Sequence, residues 1–381
     1  MKADILIKNG IVYDPYQNVK RVADVAIKSK KILEVAENLE LECSTIIDAE
    51  GCIVTPGLID FHMHMYHDGS EAGINPDVCL LSNGVTTCVD SGSCGFATYK
   101  ALHKYGIVPS DLRVFSYVNM SPIGFATEKY PECVDPAYYD FDRIKDLFDT
   151  YPEIRGLKLR LSNGVIPANM TTEPLVEMLK YAEKLHCNVV VHTTEPAVST
   201  EELASLLREG DIYCHVFHGK GDTIVDAKGK VKKGIWEARD RGVIFDSSNG
   251  RNNFGFNTAI PAMEDGFLPD IISTDMAKHT MFQHPVISLP FIMSKYLAMK
   301  MDIMEVFRAT TQTPARLLCL EEQIGSLKEG TIADVSIFKL KEQKVRFYDV
   351  FKAYLDGDKV LVPQMTIKDG IIAYRQNDFV G

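Results

Sequence analysis

The sequence predicts an α/β protein: a (β/α)8 TIM barrel carrying a small β-sandwich domain assembled from both ends of the chain. Three observations carry this expectation. Residues 1–55 and 330–381 are runs of short strand-like segments separated by turns. Residues 56–329 alternate strand-like and helix-like segments, the pattern of a parallel α/β domain. Ionisable residues also recur at the ends of the expected barrel strands, where the mouth of such a barrel lies.

At the N-terminus, Ile5-Leu6-Ile7 leads to Asn9-Gly10 and then Ile11-Val12-Tyr13, and Asn-Gly between apolar runs signals a hairpin. Val22–Ile27, Lys31–Val35, Ile46-Ile47 and Cys52–Val54 continue the strand pattern. In the middle, strands are expected at Leu58–His64, Thr86–Asp90, Arg113–Asn119, Gly156–Leu161, Val189–His192, Ile212–Val216, Val243–Asp246 and Ile271–Thr274. Pro174–Leu185, Thr200–Leu207 and Asp302–Leu318 are the clearest intervening helices. The chain then returns to strands at Asp334–Phe338, Val360–Val362 and Met365–Ile372. There the turn Lys368-Asp369-Gly370-Ile371 resembles Lys8-Asn9-Gly10-Ile11.

Composition narrows the function classes. Hydrophobic residues at 46% and charged residues at 24% fit a soluble globular chain. A formal net charge of -11 argues against a nucleic-acid partner, which requires a basic face. No apolar run is long enough to span a membrane, and the start lacks a signal-peptide core, so a cytoplasmic location is expected. The nine cysteines are odd in number and form no Cys-x-x-Cys pair, which points to neither a disulfide framework nor a thiolate zinc knuckle. Cys52, Cys88, Cys187 and Cys214 read as small core residues, and Cys94 lies near a strand end.

The chemistry lies in a scattered set. Alternate residues of a strand share a face, so His62 and His64 project together from the end of the first barrel strand. Lys158 falls in the fourth strand, His192 ends the fifth, His215 lies in the sixth and Asp275 closes the eighth. Strand ends converge on one mouth, which makes these six a candidate cluster. Four histidines and a carboxylate suit one or two borderline metals such as zinc. An ammonium has no lone pair, so Lys158 needs either a modification such as a carbamate or a different role, and spacing alone leaves the two open. Alternation turns His215 inward and Cys214 and Val216 toward the helices, while His218 becomes a loop residue lining the substrate site or simply exposed. Of the other histidines, His67 and His279 are expected nearest the mouth. Arg160 shares the face of Lys158 and either grips a substrate carboxylate or makes a salt bridge within the barrel. Asn119, Ser93 and Asn249 follow strand ends and are weaker candidates for substrate contact.

These motifs resemble the amidohydrolase superfamily. Val54-Thr55-Pro56-Gly57-Leu58-Ile59-Asp60-Phe61-His62-Met63-His64 is similar to its first-strand signature. Gly84-Val85-Thr86-Thr87 resembles its second-strand entry, and Ala333-Asp334-Val335 its return to the small domain. The resemblance implies His62 and His64 on the more buried of two divalent metals, zinc by family habit, and His192 and His215 on the more exposed one. It further implies carboxylated Lys158 as the bridge and Asp275 as a ligand that also moves protons. Gly156–Ser162, His215–Lys220 and Ile272–Asp275 are closest to the dihydroorotase-like and deacetylase branch. That branch usually has Asn where this chain has His218, and His-Gly where it has Asn249-Gly250.

The expected reaction is hydrolysis of an N-acyl or O-acyl bond in a small carboxylate-bearing molecule, by hydroxide generated between two cations. A cyclic amidase of dihydroorotase or hydantoinase type is the nearest alternative, followed by a deaminase. A non-catalytic barrel belongs to a different class, and all six filled positions weigh against it. The partner is then a small molecule, with subunit number open and a homo-oligomer included.

Overall fold

The computed structural model describes residues 2–379. Its strands are β1 (Lys2–Asp14), β2 (Val19–Lys28), β3 (Lys31–Ala36), β4 (Glu42–Asp48) and β5 (Ile53–Pro56), then β6 (Leu58–Met63), β7 (Val85–Gly95), β8 (Arg113–Asn119), β9 (Ile154–Arg160), β10 (Asn188–His192), β11 (Ile212–Cys214) and β12 (Ile244–Asp246). The last three are β13 (Val335–Tyr348), β14 (Tyr354–Lys368) and β15 (Ile371–Arg375).

The two chain ends build one sheet, in the order β15-β14-β13-β5-β1-β2-β3, with β4 pairing to β1. It is a single hydrogen-bonded sheet where two facing sheets are expected from the sequence. The sheet curls, because Ile32 of β3 and Met365 of β14 share a buried core with Val12, Val54 and Ile337. Asn9-Gly10 is not a hairpin. β1 runs straight through it, with a register shift against β2 between Ile7 and Gly10 and Asn9 at φ 62°. A side chain at Gly10 would meet Val54 Cγ2 at 2.4 Å, so the glycine admits β5 beside β1. The reversal comes later, at Pro15–Asn18, where Asn18 N donates to Pro15 O. Asp369-Gly370 does turn the chain, between β14 and β15, with both residues at positive φ as a tight hairpin requires.

The second sheet is parallel and runs β6 to β12 in sequence order. Ile59, Phe61, Val89, Tyr117, Val190, Ile212 and Ile271 cluster inside it. Leu157, Leu159, Val189, Val191 and Tyr213 pack outward with Leu175, Met178, Leu203 and Ile235 of the surrounding helices. The expected eighth strand at Ile271–Thr274 is not a regular strand, yet its segment closes the ring. It forms parallel bridges Asp246↔Ile271 and Met63↔Met276. Asp275 N donates to His62 O at 2.7 Å and His64 N to Met276 O at 2.9 Å. Asp275 itself sits at φ 50°, which breaks the pleat between the two bridges.

The helix expected over Asp302–Leu318 is two, Ile303–Arg308 and Gln312–Leu317. Pro314 has no N–H to return to the carbonyl of Thr310, and the hydroxyls of Thr310 and Thr311 donate to Val306 O and Phe307 O instead. None of the described helices is long and apolar enough to cross a membrane.

Candidate metal centre

The strand ends bring His62, His64, Lys158, His192, His215 and Asp275 together. The His62 ring lies 5.7 Å from that of His64 and 5.3 Å from that of His215, and His192 lies 4.2 Å from His215, centroid to centroid. Asp275 Oδ1 is 3.3 Å from His64 Nε2 and 3.6 Å from His62 Nε2. His62, His64 and Asp275 form one compact group of potential ligand atoms, and His62, Cys214 and His215 form another.

His215 reaches the cluster by a route that strand alternation does not anticipate. It follows the end of β11 at φ 65°, a left-handed conformation that costs energy for a non-glycine residue. The twist lets Cys214 and His215 both face the site. Cys214 Sγ lies 3.2 Å from His62 Nδ1, so it belongs to the barrel interior and not to the helix-packed face expected for it.

Hydrogen bonds hold three of the four imidazoles. Ser93 Oγ is 3.0 Å from His64 Nδ1. Ser248 Oγ is 3.0 Å from His62 Nδ1 and donates to the buried Asp246, which also accepts from Ser273. His215 Nδ1 donates to Ser248 O at 2.7 Å. Its Nε2 is therefore an acceptor, buried and without a hydrogen-bond partner. Burial, with cationic or imidazole neighbours adding to it, pushes the pKa of His62, His192 and His215 well below the usual histidine range and keeps the rings neutral. Burial opposes the ionisation of Asp275, but the hydrogen bond with His64 and the neighbouring imidazoles outweigh it and hold the carboxyl ionised. Neutral imidazoles with free lone pairs around an ionised carboxylate are a donor set suited to divalent zinc-like ions.

Lys158 stands in the middle of this set. Its Nζ lies 3.3 Å from His62 Nε2 and 3.2 Å from Ser91 Oγ, and among the described residues it has no carboxylate partner. Gly92, at φ 84°, makes the approach possible, since a Cβ there would lie 2.6 Å from Lys158 Cβ. A buried lysine facing an imidazole and a hydroxyl lacks a carboxylate in ion-pair contact to offset its burial. A carbamate at the same nitrogen fits it.

Above the cluster opens a cavity of about 460 Å³. Arg160 and Asn119 line it, as does His279. Both Arg160 and Asn119 are held by Glu132 of the loop after β8: Arg160 Nη1 bonds Oε1 and Asn119 Nδ2 bonds Oε2, each at 2.8 Å. The barrel salt bridge considered for Arg160 thus exists, on a side chain that still faces the cavity. The other candidates for substrate contact are placed elsewhere. Ser93 lies beneath His64 and is fully buried. His218 is neither exposed nor at the cavity; it is buried, with both ring nitrogens unpaired among the described residues, and burial lowers its pKa to about 4. Asn249 is turned away from the cavity, accepting from the buried amine of Lys295 and donating to Ser247 Oγ. Cys94 is packed in the core, and His67 pairs with Asp68.

Several residues of the site carry no sequence signal of their own. Lys295 sits within an apolar helix, fully buried, and burial pulls its pKa down to about 7. Glu132 and Asn253 lie in loops whose course only the fold sets. Asn253 Nδ2 donates to Asp275 Oδ2 at 2.7 Å.

The match to the amidohydrolase family model covers residues 53–372, and the chain belongs to that family. A deacetylase of Agrobacterium fabrum is 33% identical over 322 residues, spanning 84% of this chain and 78% of its own length. A deacetylase of Enterococcus faecalis is 30% identical over 355 residues, spanning 92% and 93%. Among solved structures, an adenine deaminase superposes with a TM-score of 0.90 at 28% identity, covering 98% of this chain and 100% of that one. A dihydroorotase superposes at 0.86 and 29%, covering 97% and 98%. The protein is accordingly a hydrolytic enzyme with a small-molecule substrate.

Proposed function

We propose that the protein is a binuclear metal-dependent hydrolase that removes an acyl group from nitrogen or oxygen of a small carboxylate-bearing molecule. The observation that carries this reading is the convergence of His62, His64, Lys158, His192 and Asp275 at the floor of one cavity, with the His215 ring packed against those of His62 and His192. In this reading His62, His64 and Asp275 would hold one ion and His192 and His215 the other, with Lys158, carboxylated by carbon dioxide, as a further ligand. Two divalent ions, zinc by the softness of the donors, would polarise the acyl carbonyl and lower the pKa of the attacking water. Asp275, ionised in the free site, takes the proton from that water and returns it to the departing nitrogen or oxygen. Ser93 and Ser248 keep His64 and His62 in the orientations that binding requires.

Two features support a carboxylate on the substrate. Arg160 lines the cavity, and so does Lys220, which among the described residues has no carboxylate partner. Arg251, on the same rim, is already paired with Glu128 at 2.5 Å. The relatives named deacetylases match over most of the chain, whereas dihydroorotases of Streptococcus pyogenes match over 22% of it. A cyclic amidase is the second reading, favoured by the dihydroorotase superposition.

The test is a panel of N-acyl amino acids, O-acyl hydroxy acids, cyclic amides and adenine, offered to zinc-loaded protein whose metal content is measured alongside. Turnover of the acylated acids with about two metals per chain is expected. Turnover confined to cyclic amides, or to adenine, would overturn the deacylase reading. Clearly less than one metal per chain would remove the binuclear one.

A further inference from the structure

We infer that Asn253 is a positioning residue that fixes the carboxylate plane of Asp275 for proton delivery to the leaving group. This rests on the hydrolytic role proposed for Asp275. The two oxygens of that carboxylate have different surroundings. Oδ1 faces His64 and His62, while Oδ2 accepts from Asn253 Nδ2 at 2.7 Å. The amide has one orientation only, because an ionised carboxylate can only accept, so Nδ2 must face Asp275 and Oδ1 is left to accept from Thr194 Oγ1 at 2.8 Å. Thr194 is anchored in turn, since Ser162 Oγ donates to its carbonyl at 2.7 Å. Gly250 closes the other side at φ 54°, with space so tight that a Cβ would lie 2.2 Å from Asp275 Oδ2. The clamp therefore joins the end of β10, the loop after β12 and the ring-closing segment around a single carboxylate. Asn253 and Thr194 also line the cavity, so the held oxygen lies beside the place where the acyl bond breaks.

In the reaction the carbonyl carbon gains a bond to the water oxygen and loses its bond to nitrogen or oxygen. One water proton passes to Asp275 and from there to the departing atom, which leaves as a neutral amine or alcohol. A carboxylate free to rotate would deliver that proton less often along the productive line. An aryl ester releases a stable phenolate and needs no such proton, so its cleavage is insensitive to the clamp.

The experiment compares N-acyl amino acids with a nitrophenyl ester, using wild type, Asn253→Ala and Thr194→Val. Loss of a hydrogen bond to an ionised group predicts about a ten- to hundredfold fall in kcat on the amide for Asn253→Ala, with KM unchanged. The nitrophenyl ester should keep its rate to within about twofold, and Thr194→Val should show the same selectivity more weakly. Metal content should equal that of wild type. Infrared difference spectra of the metal-free proteins supply a readout without turnover: Asn253→Ala should shift one carboxylate band that is missing when Asp275→Asn is the background. Equal losses on amide and ester, lost metal, or an unshifted carboxylate band would each overturn the inference. A wild type inactive on both substrates would refute the deacylase reading, while the infrared shift would still decide the clamp.

Discussion

Replacing Lys295 with methionine gives a stability change whose pH dependence follows from the structure. The amine is fully buried, lies 3.6 Å over the Phe254 ring and bonds to Asn249 Oδ1. Burial lowers its pKa from 10.5 to about 7, with Asp349 offsetting part of the effect. Between those two values the unfolded chain holds the proton and the folded chain has released it, so wild-type stability rises with pH across that window. The penalty of burying the charged form is greatest below the folded value. From about pH 6 to about pH 9 this single group should contribute roughly 2–3 kcal/mol of increasing stability. Methionine fills much of the same volume and does not titrate, but it leaves Asn249 Oδ1 unpaired at a cost of about 1–3 kcal/mol at every pH. Urea denaturation of metal-loaded wild type and Lys295→Met at the two pH values isolates the titration, since all other groups cancel in the double difference. The variant should compare more favourably with wild type at the lower pH. A stability difference that does not change with pH would show that Lys295 carries the same charge throughout and would refute the reasoning.

Two further outcomes test the supports of the site. Ser93→Ala removes the hydroxyl on His64 Nδ1 and should weaken metal binding about 10- to 100-fold by competition with a chelator, with the folded content by circular dichroism unchanged; unaltered affinity would mean that the bond does not orient the ligand. Gly250→Ala places a methyl group against Asp275 Oδ2 at a left-handed position, so activity should fall severely and stability by about 1–3 kcal/mol. Normal kinetics in that variant would mean that the loop does not pack on Asp275.

The residues that converge at the site were mostly legible in the sequence, because they sit at strand ends and the strand period is simple. His62, His64, Lys158, His192 and Asp275 follow from that period and from the resemblance of the first-strand motif. The errors fall where the backbone leaves the regular pattern. Asn9-Gly10 reads as a hairpin but is a bulge, because the neighbour that decides between them, Val54, is distant in sequence. Alternation put Cys214 outside, and the left-handed turn at His215 brings it inside. Ser93 and Asn249 read as residues that follow strand ends and His218 as a loop residue, yet all three are buried away from the cavity.

By itself the sequence determined the alternation of strand and helix, the donor types and their order, and the excess of acid over base. These depend on local periodicity and on residue chemistry, both of which can be read along one dimension. Only the tertiary structure decided that Glu132 holds both Arg160 and Asn119, that Asn253 reaches Asp275, and that Lys295 is buried against Asn249 and Phe254. Those partners come from loops and from a helix packed at long range. Their choice depends on which side chains the closed ring brings within hydrogen-bond distance, a property that no local pattern encodes.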